Sequence, residues 1–331
     1  MRCWRTLRKS RISRPRPCNA PIKEKNKRFQ KTADGIGQFG LFARKATEAV
    51  FVEAIRFNDQ LNIDLVAKSG DHRHIAARAA AISATHLLVQ KAALELDVAP
   101  DEFEALEPRL RQGRPMLQIA DTLINGSGLC RRLCQPSADG RPDIARLIDE
   151  VLMARDEWPL VDFMDAEHEA QCSTSCYMCI QQYQNRRYHP LLDWRLGLAY
   201  LRSMTNPAFQ CGLDGDFDSY PELKGWLGKA QALAEAVASM RPKFWRAERA
   251  GTLRLPCMVE IDGQLRVVRR LVVIHPLWRA DQTLLSRLGV TAPGVRTLPI
   301  DTFDLERRPL RALEMVEERG PAPAFQANGG D

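Results

Sequence analysis

Between residues 75 and 97 the chain reads IAARAAAISATHLLVQKAALELD, with apolar side chains around most of a helical circumference. That pattern predicts a largely buried helix, since no continuous polar stripe is left to face water. Alanine and leucine, both strong helix formers, supply most of it. His86 sits inside this apolar run and reads as a core histidine. Pro100 ends the helix. Asp101, Glu102 and Glu104 follow, acids that favour a helix start, so a second helix is expected there. Upstream, 47–57 (TEAVFVEAIRF) partly alternates apolar and polar positions and predicts a strand. Downstream come a strand over 116–123 (MLQIADTL), a tight turn at 125–128 (NGSG) and a helix over 128–134 (GLCRRLC). An amphipathic helix capped by Asp143 is expected over 143–155, with Ile144, Leu147, Ile148, Val151 and Leu152 on its apolar face. Further helices are expected over 191–204 and 222–241. Two or three strands are expected over 255–278, with Asp262-Gly263 at a hairpin turn.

Composition changes this picture little. Hydrophobic residues make up 45% of the 331 and charged residues 27%, ordinary values for a globular chain. No apolar run is long enough for a membrane helix, so no membrane partner is expected. Charge changes it more. Residues 1–31 hold twelve Lys or Arg residues and one acid, Glu24, a net of +11, while the whole chain is only +7. The remaining residues are therefore mildly acidic, at −4. With Pro15, Pro17 and Pro21 and few apolar positions, 1–31 reads as a basic, disordered arm. Residues 318–331, rich in Gly, Pro and Ala, read as a disordered tail.

The candidate chemistry is concentrated in 168–195, HEAQCSTSCYMCIQQYQNRRYHPLLDWR. Three of the nine cysteines, Cys172, Cys176 and Cys179, fall within eight positions, with His168 and His189 on either side. Cys176-x-x-Cys179 is knuckle spacing, in which one tight turn aims two thiolates at one ion. A continuous helix would spread 168 to 179 over about 16 Å, too far to share an ion. The metal reading therefore requires the chain to fold back at Ser173-Thr174-Ser175, residues that favour turns and caps. The expected ligands of a structural Zn2+ are Cys172, Cys176, Cys179 and His168. His189, Cys130 and Cys134 are the alternatives for the fourth position; His189 also reads as a structural residue fixing the turn before Pro190. Clustered cysteines with this spacing suit a reducing cytoplasm rather than a disulfide scaffold.

The run CSTSCYMCIQQYQNRRYHPLLDWRLGL resembles the zinc-binding domain at the C-terminus of MrfA-like DEAD/DEAH-box helicases, a domain also found in DrmB-type proteins of the DISARM phage-defence system. The matching positions are Cys172, Cys176, Tyr177, Cys179, Tyr183, Asn185, His189, Leu192, Asp193 and Trp194. PMLQIADTLINGSGLCRRL (115–133) resembles the strand, Gly-rich turn and helix that precede the cysteines in that family. The resemblance covers roughly 45–205. It departs at Ala170, where many members carry a cysteine, and this turns attention to His168.

The expected architecture is therefore mixed α/β (α+β), helix-rich with a small sheet and a zinc-stabilised core. A zinc-binding domain over 32–241 would be followed by a small β-rich unit over 242–317. The chain has no GKS or GKT loop and no D-E-A-D or D-E-A-H box. The resemblance then implies a non-catalytic accessory module of a DNA helicase system, in DNA repair or phage defence. Its expected partners are a helicase or ATPase subunit, or a neighbouring gene product, with DNA as a further partner. A truncated helicase remnant and a zinc-dependent hydrolase or nuclease are the alternatives.

Overall fold

The computed structural model describes residues 2–5, 8–11, 43–54, 56–63, 65, 74–111, 114–240, 242–279 and 281–318. The rest of the basic arm, residues 32–42, most of 64–73 and residues 319–331 lie outside them. The arm expected to be disordered contributes two strands, β1 (Arg2–Arg5) and β2 (Arg8–Arg11). Strands β3 (Ala43–Thr47) and β4 (Ala49–Glu53) follow, then helix α1 (His74–Glu95). A 3-10 turn, Pro100–Glu102, leads into β5 (Phe103–Arg111) and β6 (Arg114–Asp121). Four short to medium helices come next: α2 (Leu129–Leu133), α3 (Asp143–Met153), α4 (Leu160–Phe163) and α5 (Ala166–Gln171). A 3-10 run, Tyr183–Leu191, precedes α6 (Trp194–Thr205) and α7 (Trp226–Ser239). The C-terminal part holds β7 (Trp245–Ala250), β8 (Leu255–Ile261), β9 (Val267–Ile274), α8 (Gln282–Arg287), β10 (Arg296–Asp301), α9 (Thr302–Arg307) and α10 (Pro309–Glu318).

The fold is mixed α/β, with two four-stranded sheets. In the first, of order β1-β4-β6-β5, every pairing is antiparallel. β1 lies along the edge of β4, with Arg2 opposite Glu53, where unpaired backbone groups would otherwise be exposed. β2 pairs separately with β3. In the second, of order β10-β9-β8-β7, the β9–β10 pair is parallel and the others antiparallel. The parallel pair needs a crossover, which α8 provides. One continuous apolar cluster runs from Val50 in β4 to Ala312 in α10, so both sheets share a core. Helix α7 packs against β7 and β8.

Two local expectations are corrected. The acids after Pro100 do not open a helix, because FEALEPRLR forms the edge strand β5. Pro108 would break a helix interior but is tolerated on a sheet edge, and the register slips beside it, between Leu106 and Arg109. Asp143 does not cap α3. Pro142 holds that place, and the Asp143 carboxylate accepts from Arg146 Nε at 3.0 Å.

Helix α1 explains its own pattern. It packs on β5 and β6, on α6 and on α3, so apolar residues are needed all round. Gly197 of α6 sets the closest approach: a Cβ there would lie 2.8 Å from Leu87 Cδ1, 3.0 Å from Ser83 Cβ and 3.1 Å from Ala84 N. A leucine tip can move, but the backbone of α1 cannot. Gly197→Ala is therefore expected to destabilise the protein by about 1–3 kcal/mol through overpacking. Urea unfolding checks it, and an unchanged midpoint would contradict this account of the α1–α6 contact. Among the described residues, no helix is long and apolar enough to cross a membrane.

Candidate metal centre

The cluster is assembled by one short helix, the chain reversal that follows it and one tight turn. Asp165 caps α5 by accepting from the Glu167 and His168 amides, which sets His168 in the first turn. The helix stops at Cys172, and Ser173-Thr174-Ser175 reverses the chain, as the metal reading requires. The reversal is fixed from outside: Trp194 N donates to Thr174 O at 3.0 Å, and Lys229 Nζ donates to Ser173 O at 3.2 Å. Cys176 to Cys179 then form the tight turn, with Cys179 N donating to Cys176 O at 3.1 Å.

The ligand atoms of His168, Cys172, Cys176 and Cys179 all lie within 4.8 Å of one another. Cys172 Sγ and Cys179 Sγ are 3.8 Å apart, far longer than a disulfide bond. Cys176 Sγ is 3.5 Å from His168 Nε2. A tetrahedral zinc site with Zn–S near 2.3 Å and Zn–N near 2.0 Å has S···S edges of about 3.8 Å and S···N edges of about 3.5 Å. The two contacts match those edges, and this donor set could hold a metal ion.

The surroundings prepare the donors. His168 Nδ1 is 3.1 Å from Phe163 O; its N–H donates to that carbonyl, leaving the Nε2 lone pair for the cluster. The imidazole stacks on Phe163, with ring centres 5.6 Å apart, and Phe163 meets Trp194 at 5.1 Å. The Cys176 amide points at Cys179 Sγ from 3.0 Å. A hydrogen bond from Cys172, together with backbone donors, holds the Cys179 thiol below the ordinary range; the same bond, together with burial, pushes Cys172 up. A metal ion would require both thiols as thiolates, so binding would release protons.

The other candidates for the fourth position are placed elsewhere. The His189 ring accounts for itself structurally, with Nε2 3.0 Å from both Gln182 O and Asn185 Oδ1. Cys130 is buried in α2, and its thiol donates to Ile119 O at 3.5 Å. Cys134 closes the same helix. Among the described residues, no other His or Cys joins the cluster.

A second Cys–His contact was not anticipated from sequence. Cys211 Sγ and His275 Nδ1 lie 3.3 Å apart, both buried, and 64 positions separate them. Only the fold makes them neighbours. Burial pushes the Cys211 thiol up and lowers His275 to about 3, so both are neutral at neutral pH and form no thiolate–imidazolium pair. Burial, aided by Arg187 and His189, also lowers His86 to about 4. The unfolded chain binds protons at both histidines below about pH 6.5, whereas the folded chain binds neither until pH 4 or lower. Their effect on stability is therefore neutral above pH 6.5 and destabilising as pH falls towards 4, with a slope approaching about 2.7 kcal/mol per pH unit. His275→Gln is expected to make the loss shallower. Urea midpoints of both proteins between pH 7 and 4.5 check this, and parallel profiles would contradict it.

No family model matches the chain, and neither a curated protein nor a solved structure resembles it closely enough to support an argument.

Proposed function

We propose that the chain is a non-catalytic, zinc-stabilised accessory module serving a DNA helicase system in DNA repair or phage defence. The observation that carries the zinc part is the His168/Cys172/Cys176/Cys179 set: four protein donors within 4.8 Å of one another, three of them thiolate formers, which favours zinc over harder cations. Four protein ligands close the coordination shell, as in structural sites; a hydrolytic zinc keeps one position for water. The cluster also sits at a seam. Lys229 of α7 bridges Ser173 O and Glu306 of α9, and Arg307 donates to Pro190 O and Leu192 O. Zinc there would hold the C-terminal sheet and its helices against the knuckle. The helicase part is supported by the resemblance of 172–198 and 115–133 to the MrfA-like domain.

Cobalt substitution tests the zinc part. A tetrahedral cobalt spectrum unchanged by azide fits a closed structural site, and a spectrum that azide alters supports the hydrolase reading instead. Co-expression with helicase-core ATPases of the same cell tests the partner. A complex that survives gel filtration and raises DNA-stimulated ATP hydrolysis is expected, and no complex with any of them would remove the helicase assignment.

A further inference from the structure

The turn that aims Cys176 and Cys179 inward sends its two middle residues outward. Tyr177 is 68% exposed and Met178 80%, and four positions past Cys179 Tyr183 is 71% exposed. Exposed large apolar side chains that form a contiguous patch mark contact sites. Their neighbours are cationic. Arg186 lies over the Tyr183 ring at 4.7 Å and donates to its hydroxyl at 2.8 Å. Arg187 lies over Tyr188 at 4.7 Å, and both arginines are exposed.

Beside this strip is a cavity of about 690 Å³, within the range of small-ligand sites. Arg186, Arg187, Gln182, Gln184 and Asn185 line one side of it, and Asp101 and Glu104 are also in its wall. His86 lines it too, and the wiring fixes its tautomer. Gln182 N, a donor only, points at Asn185 Oδ1 from 2.9 Å, and Asn185 Nδ2 donates to Ile180 O at 2.9 Å. The same amide nitrogen, 3.4 Å from His86 Nδ1, therefore donates to it. His86 is 7% exposed and its Nε2, which must carry the proton, has no hydrogen-bond partner. A buried donor without a partner is costly in a finished core.

We infer that Tyr177, Tyr183, Arg186, Arg187 and the adjoining cavity form a binding surface for single-stranded nucleic acid. Exposed rings stack bases, guanidinium groups meet phosphates, and side-chain amides read the edge of a base lodged in the cavity. A duplex would keep its bases stacked and unavailable to such rings, whereas a single strand presents them. The inference deepens the accessory-module reading and rests on it for the presence of a nucleic-acid partner.

The test uses the full chain and an oligothymidylate carrying 5-iododeoxyuridine, photocrosslinked and mapped by peptide mass spectrometry, with zinc content measured on the same sample. Adducts on Tyr177 or Tyr183 are expected. Tyr183→Ala should weaken binding about tenfold while Tyr183→Phe retains it, because the ring and not the hydroxyl stacks. Arg186→Ala and Arg187→Ala should each flatten the log K against log salt slope by about 0.7. Adducts confined to residues 1–31, with these variants binding like wild type, would overturn the surface. Zinc present without tyrosine adducts overturns this inference alone; tyrosine adducts on a folded chain without metal overturn the zinc reading alone.

Discussion

Cys176→Ser is expected to release the metal and to cost more than about 4 kcal/mol, the range reserved for losing a metal or a core network. The binding free energy of a structural zinc is folding free energy, and serine is a poor ligand for the vacated position. In this chain the loss reaches beyond the turn. Cys172 is buried against the common core, and Ser173 O is tied through Lys229 to Glu306. A fall in melting temperature on the order of 10 °C should accompany zero bound metal. Thermal scans with elemental analysis check both, and a variant that melts with wild type would remove the metal from the stability account.

Glu222→Ala is the second large effect. Arg202 of α6 donates from Nε and Nη2 to the Glu222 carboxylate, and the Glu222 side chain is fully covered. Arg202 also donates to Leu152 O at 3.1 Å and lies over Tyr220 at 4.7 Å, so it cannot withdraw to water without breaking several contacts. Deleting the carboxylate leaves a buried cation unpaired, which costs about 3–5 kcal/mol. Replacing both partners with apolar residues, Arg202→Met with Glu222→Leu, should recover most of that, because no charge is then stranded. Chemical denaturation of the single and double variants checks the pair. A single variant within about 1 kcal/mol of wild type would show that Arg202 is already hydrated.

What the sequence revealed was local. The buried α1 helix follows from its alanine and leucine run, and the β6–turn–α2 unit from Asn125, Gly126 and Gly128, all of which have positive φ. The donor cluster was legible because its four residues span only twelve positions and three turn-forming residues interrupt them. Choosing His168 over His189 was harder from spacing; the structure separates them by the partners of their rings, Phe163 O for one and Gln182 O with Asn185 for the other. The β5 strand was hidden because acids after a proline resemble a helix start, and its edge position, which tolerates Pro108, depends on pairing with β6. β7 (WRAERA) carries too few apolar residues to signal a strand and exists through its pairing with β8. Arg202–Glu222, Cys211–His275 and Lys229–Ser173 join residues 20 to 64 positions apart, and no local pattern encodes such contacts.

The most direct test of the central claim is metal analysis combined with X-ray absorption at the zinc edge, on wild-type protein purified without chelator. The account predicts one zinc per chain, with three sulfurs at about 2.3 Å and one nitrogen at about 2.0 Å. A folded chain free of metal, or a zinc bearing an oxygen ligand in place of one of these four donors, would contradict it.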